Sequence, residues 1–279
     1  MCVLVALLAG LAPASAAERL TPRQEKEAEA FAANNSLFFI YHEVGHLLID
    51  QLSLPVLGKE EDAADNMATY MLLRQNSSRA NRILTDAAYA WLLSGNIYDT
   101  DIEKADFYDA HSFDHQRAYQ IVCLMVGKNP KLFGPVADEY EIDKERQETC
   151  AWDYELVERS MEGLLAPQWA LKDRQETTVQ IVYSPVYGDW EHAAGVFRNS
   201  GAFEQIAQEL RSSYSLAKTV TFRARACGGD PNAYYESDEV EVIFCYELMD
   251  DLLNLIAGDL PEDTTSSDHV GRTGSASTD

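Results

Sequence analysis

Basic residues are scarce in this 279-residue chain: 22 Lys and Arg face 46 Asp and Glu, a formal net charge of −24. That deficit argues against nucleic acid and against an anionic membrane surface as partners, because both recruit cationic side chains. Cysteine is sparse too, five residues in all, and none sits in a C-x-x-C pair. This argues against thiolate ligands for zinc. After the first 16 residues, no apolar run is long enough to span a bilayer, so no membrane span is expected.

Residues 1–16 carry no charged side chain. Cys2 to Ala12 is an apolar run and Ala14-Ser15-Ala16 has the A-x-A form of a cleavage site. The stretch reads as a signal peptide, although it lacks the usual basic residue ahead of the apolar run. The expected destination is export, to the periplasm or the medium. Cleavage would remove Cys2 and leave Cys123, Cys150, Cys227 and Cys245. An even number in an exported chain implies disulfides, with three possible pairings. Pairing within local units favours Cys123–Cys150 and Cys227–Cys245.

What the chain does have is His42-Glu43-Val44-Gly45-His46. On a helix, positions i and i+4 share a face, so both imidazoles can reach one Zn²⁺ while Glu43 handles a metal-bound water. The flanking Leu37-Phe38-Phe39-Ile40-Tyr41 and Leu47-Leu48-Ile49 are apolar, as in a buried helix. A catalytic zinc keeps three protein ligands and one open position. After the turn at Pro55-Val56-Leu57-Gly58, a second helix opens with Glu60, Glu61 and Asp62. Glu61 is the expected third ligand, because only it has an acid four residues on. That acid, Asp65, is expected to accept the free ring N–H of a ligand histidine.

His42, His46 and Glu61-x-x-x-Asp65 together resemble the gluzincin metallopeptidases, the thermolysin-like branch of the zincins. The longer string from Leu37 to Leu73 is similar to an uncharacterised bacterial family of candidate zinc metallopeptidases. The likeness continues through Asp109-Ala110-His111-Ser112, Gln116-Arg117-Ala118-Tyr119, Cys227, Asn232 and Tyr246-Glu247. The resemblance implies a zincin-like α+β fold with one bound Zn²⁺ and a peptide or protein substrate.

Periodicity divides the chain at about Pro167. The first part, 17–166, is expected to be helical and to carry the zinc site. After a polar, Glu/Ala-rich lead-in at 17–36, expected to be partly helical, helices are predicted over 35–52, 59–75, 79–94, 112–127 and 144–165. The second part, 167–257, reads as α/β. Strands are predicted over 177–183, 219–226, 233–235 and 240–246, with helices over 201–213 and 247–257. Both parts are taken as one metallopeptidase-like domain, 17–257. The Thr/Ser/Asp-rich tail, 258–279, is expected to be disordered. Zincins usually place a small sheet before the active-site helix, whereas here the strands come last. Asn232-Ala233-Tyr234-Tyr235 is similar to the Asn-Ala-aromatic edge strand with which thermolysin-like enzymes bind substrate. The expectation is a permuted arrangement, with the C-terminal sheet folded back over the zinc helix. An ordinary hairpin pinned by Cys227–Cys245 is the other reading of the same residues.

The expected activity is that of an exported zinc metallopeptidase with Glu43 as general base. The alternative is an exported zinc-binding or interaction protein that keeps the site without catalysis. Structural zinc sites are usually closed by four ligands and rich in cysteine, and no structural role needs Glu43. His111, His115 and Tyr119 are candidates for stabilising the oxyanion, with His192 a looser one. His269 falls in the tail and has no expected role. Oligomeric state is not legible.

Overall fold

The computed structural model describes residues 20–261, apart from 101, 105 and 170–174. The expected signal peptide, Cys2 and His269 lie outside the described residues.

The first helix, α1 (Pro22–Gln51), organises the fold. Thr21 caps it: its hydroxyl accepts the Gln24 backbone N–H, the Gln24 side chain reaches back, and Pro22 supplies a ready-made first-turn φ. The helix therefore begins 13 residues before the expected start at Asn35. Asn35 does not start it. Instead its side-chain amide donates to the carbonyls of Phe31 and Asp86, while Asn34 donates to the Asp86 carboxylate at 2.7 Å. With those bonds made across to a neighbouring helix, nothing stops the Ala/Glu-rich lead-in from running on as helix. From Asn35 to Leu48 α1 is buried almost all round, which is why it shows little amphipathic pattern.

Helix α2 (Glu60–Arg74) crosses α1 at Gly45. A Cβ on Gly45 would stand 3.0 Å from the Ala64 Cα. Glycine facing alanine lets the two backbones approach, and that approach brings the first turn of α2 over the two histidines.

Helices α3 (Ser78–Tyr98), α4 (Asp114–Lys128), α5 (Pro130–Glu139) and α6 (Lys144–Trp169) complete the helical part. Helix α5 was not expected, because Asn129-Pro130 reads as a stop. Asn129 is both: it closes α4 and its side chain accepts the Leu132 N–H, with Pro130 as first residue of the new helix. Gly127 gives α4 room against α6, since a Cβ there would lie 2.2 Å from the Cys150 carbonyl oxygen. The Cys123–Cys150 disulfide staples the same crossing. Helix α6 runs past Pro167, which lies in its last turn rather than at a boundary.

The C-terminal part carries a four-stranded sheet, so the fold is α+β and mainly helical. Its strands are β1 (Val179–Tyr183), β2 (Val220–Arg225), β3 (Ala233–Glu236) and β4 (Glu241–Cys245), in the order β1-β2-β4-β3. The pairs β1–β2 and β2–β4 are parallel, while β3 runs antiparallel to β4 at the edge. Between β1 and β2 lie α7 (Glu191–Ser200) and α8 (Ala202–Ser213), joined at Gly201 with a left-handed φ of 67°. Helix α7 was not expected. Its Phe197 stacks on Phe244 of β4 at 4.0 Å, so its reason lies in the tertiary packing. Cys227–Cys245 ties the loop after β2 to the end of β4. Helix α9 (Tyr246–Ala257) follows β4 directly and packs on α1. Residues 258–261, expected to open the tail, belong to the fold instead. Leu260 packs on the core and the Pro261 carbonyl accepts the Gln24 side-chain amide at 2.9 Å. The remainder of that tail lies outside the described residues.

A larger side chain at the α1–α2 crossing should be costly. Gly45→Leu should lower stability by about 1–3 kcal/mol, because the extra atoms force the helices apart. Thermal unfolding measures it, and the same variant should hold metal less tightly.

Candidate metal centre

Helix α1 presents His42 and His46 on one face, with ring centroids 4.8 Å apart. The crossing at Gly45 sets Glu61 opposite them. The His42 Nε2 to His46 Nε2 distance is 3.1 Å, His42 Nε2 to Glu61 Oε2 is 3.1 Å, and His46 Nε2 to Glu61 Oε2 is 3.3 Å. Three donor atoms thus form a nearly equilateral triangle. A tetrahedron with metal–ligand bonds of about 2.0 Å has edges of about 3.3 Å, so the triangle has the size of one face of a tetrahedral zinc site.

The hydrogen bonds on the far side of each ring decide what the triangle can hold. His42 Nδ1 lies 2.7 Å from Asp65 Oδ1, and His46 Nδ1 lies 2.8 Å from Glu60 Oε1. A carboxylate accepts only, so both Nδ1 atoms carry hydrogen and both Nε2 lone pairs turn into the triangle. Two lone pairs and a carboxylate oxygen at these separations repel one another unless a cation, a proton or a metal, lies between them. The donor set fits a divalent metal of borderline softness.

Asp65 is buried and is itself held by Arg117, whose Nε and second guanidinium nitrogen donate to the two carboxylate oxygens at 2.7 and 2.8 Å. The Arg117 guanidinium lies flat over the Trp91 ring at 3.6 Å. Burial would raise the Asp65 carboxyl, but the charge of Arg117 and the bond from His42 outweigh it and hold it well below the usual carboxylate range. Burial likewise disfavours a charged His42, yet its bonds to Asp65 and Glu61 lift its pKa to about 9. Glu61 follows the same pattern: bonds from His111, His42 and His46 overcome burial and keep it ionised. Glu43 is the exception. It is buried, and burial pushes its carboxyl up to about 7 against the pull of His42 and His46.

Strand β3 runs beside this helix. Tyr235 donates its hydroxyl to Asp50 Oδ2 at 2.7 Å and accepts from the Gln51 amide at 3.2 Å, so the strand is tied to the C-terminal end of α1. Asn232, Ala233 and Tyr234 share a cleft of about 510 Å³ with His42, Glu43, His46 and Glu61. Chain order thus brings the sheet last, and folding brings its edge to the histidines.

Of the oxyanion candidates, His111 stands at the cleft, with Nε2 3.1 Å from Glu61 Oε2. The first turn of α2 fixes its segment: Lys59 Nζ donates to the His111 carbonyl and Asp62 accepts from Ser112. His115 is instead a linker between helices, with Nδ1 on Asp99 and Nε2 facing Asn96. Tyr119 packs edge-on against Tyr140 and His192 lies near Glu29; neither lines the cleft. The bond between His46 and Glu60 is not legible in the sequence, although the acidic first turn of α2 is. The bond between Arg117 and Asp65 is not legible either, since nothing local links positions 52 apart.

The family model described as Putative metallopeptidase matches residues 5–165 and 185–276. The chain belongs to this family. Searches of curated proteins and of solved structures find no match. For a member of a metallopeptidase family, a His/His/Glu triangle with a buried glutamate beside it is the natural candidate for the metal centre.

Removing Arg117 should expose how far this centre depends on its outer bonds. Arg117→Met leaves Asp65 buried without its cation and should cost about 3 kcal/mol of stability, the usual penalty for half a buried pair. Denaturant unfolding checks it. Metal affinity should fall at least tenfold as His42 loses its fixed orientation.

Proposed function

We propose that this protein is an exported zinc metallopeptidase of the gluzincin type. The single observation that carries this reading is the 3.1–3.3 Å triangle of His42, His46 and Glu61 with buried Glu43 alongside. These three residues would hold one Zn²⁺. When bound, the ion would lower the pKa of its water toward 7 and polarise the scissile carbonyl.

The chain's own residues supply the rest. Glu43 takes the water's proton and later delivers it to the leaving amine. Its raised pKa suits a group that must first accept a proton and then release it near neutral pH. Asp65 and Glu60 hold the two imidazoles in the tautomer that faces the metal. Residues Asn232, Ala233 and Tyr234 offer the free side of an edge strand, where an extended peptide can add as a further strand. His111 is the candidate donor to the oxyanion. Export is supported by the apolar stretch at residues 1–16 and by the two disulfides, which persist in oxidising compartments.

Glu43→Gln keeps the shape of the side chain and removes the base. Purified wild type and variant should each contain one zinc, and only the wild type should hydrolyse an unstructured protein, with turnover at least a hundredfold slower in the variant. A chelator should abolish wild-type activity and added Zn²⁺ restore it. One zinc in both proteins with no hydrolysis by either, across a broad peptide panel, would favour the non-catalytic binding protein. No zinc in either would overturn the ligand assignment.

A further inference from the structure

Beyond Glu43 the cleft continues into a second cavity, of about 330 Å³, between α1, α3, α9 and the start of β3. Its walls are largely apolar: Phe39 from α1, Trp91 from α3, and Leu248, Leu252 and Leu255 from α9. Three leucines at positions i, i+4 and i+7 make one stripe of α9. Asp251 interrupts that stripe and lines the same cavity. An apolar residue at this place would complete the stripe; the Asp251 carboxylate instead stands exposed to solvent at the rim of the cavity. Among the described residues, no donor or cation pairs with the Asp251 carboxylate. Its neighbour Asp250 is occupied by the Asn254 amide, and it adds repulsion to the burial that raises the Asp251 pKa. The Arg and His side chains that line the cavity are already committed. Arg117 is paired with Asp65 and stacked on Trp91, and His42 is bound to Asp65.

We propose that this cavity receives a lysine or arginine side chain of the substrate beside the cleaved bond, its aliphatic stem along Trp91 and the leucines and its cation on Asp251. The inference rests on the metallopeptidase reading for the placement of the peptide, and it names the substrate class as basic peptides. Lysine and arginine suit such a cavity because their stems are apolar while their heads are charged. A glutamate side chain would meet Glu43 and Asp251, both acids. A neutral aliphatic side chain would fill the walls and leave the carboxylate unanswered. The chain's deficit of basic residues acts in the same direction, since a surface of net negative charge attracts cationic peptides from a distance.

The test separates binding from turnover. The full-length, zinc-loaded Glu43→Gln variant is titrated with fluorescent peptides that differ only in carrying Lys, norleucine or Glu at one central position. The same series is run on Glu43→Gln/Asp251→Asn. The Lys peptide should bind the first protein about tenfold more tightly than the norleucine peptide, and the ratio should fall to near one in the second. The Glu peptide should bind the first protein most weakly. A ratio near one in the first protein, a ratio kept in the second, or no peptide binding at all would overturn the proposal. Wild-type cleavage of the same peptides reads the parent hypothesis independently. No cleavage with an Asp251-dependent binding ratio would sink the peptidase reading and leave the basic pocket standing. Cleavage indifferent to Asp251 would do the reverse.

Discussion

Everything at the centre of this molecule depends on the close crossing of α1 and α2. Two histidines on one helix face supply two donor atoms and no more. A third must come from elsewhere at about 3 Å, and a helix–helix separation of 8–10 Å ordinarily sets such reach. Gly45 opposite Ala64 removes the side chains that would hold the helices apart. Glu61 lies one turn before Ala64 on α2, so the crossing point fixes its position to within a fraction of an ångström. Glu60 and Asp65 then fall on the outer nitrogens of the two rings. One steric allowance therefore delivers three carboxylates of α2 to the four ring nitrogens of the two histidines.

The second requirement is that Asp65 remain ionised while buried. Carboxylates in the same few turns have different surroundings and hence different chemistry. Among the described residues no cation is hydrogen-bonded to Glu43, and burial drives it toward its neutral form. Asp65 has burial of the same order but also a bidentate guanidinium, and stays charged. The stacking of Arg117 on Trp91 matters because it holds the fork planar against Asp65 from the outside. Helices α3 and α4 thus reach His42 through Arg117 and Asp65, and the disulfide between α4 and α6 braces them from behind.

Much of this was legible in the chain itself. The four-residue spacing of His42 and His46 states its own geometry, and so does that of Glu61 and Asp65, because i and i+4 on a helix always share a face. The alternation in β1 and β2 and the local spacing of the cysteines were readable for the same reason: each is a short-range pattern. What was not readable involves distance along the chain. Arg117 and Asp65 are brought together by the packing of α2 on α4. Asn35 looks like a helix start and is none, since its amide is satisfied by Asp86 of α3. Helix α7 is fixed by an aromatic stack onto a strand more than forty residues later. The placement of β3 beside α1 was suggested by the string Asn232-Ala233-Tyr234-Tyr235 and is set by two bonds of its Tyr235 to Asp50 and Gln51, partners that the string does not name.

The tie between Tyr235 and Asp50 also explains why a sheet that comes last in the chain can serve a helix that comes first. A hairpin edge is free to slip or fray unless something beyond its partner strand holds it. Here β4 holds β3 on one side through the ladder, Cys227–Cys245 anchors the loop that enters it, and Glu247 accepts the Cys227 and Gly229 N–H groups of that loop. Asp50 and Gln51 then fix the far end of the strand to the same helix that carries His42 and His46. The helix and the edge are locked to each other rather than to a common third body. Their spacing is consequently set by the Tyr235 bonds at one end of the cleft, a condition under which an extended peptide could lie between the strand and the two histidines with its carbonyl in a fixed place.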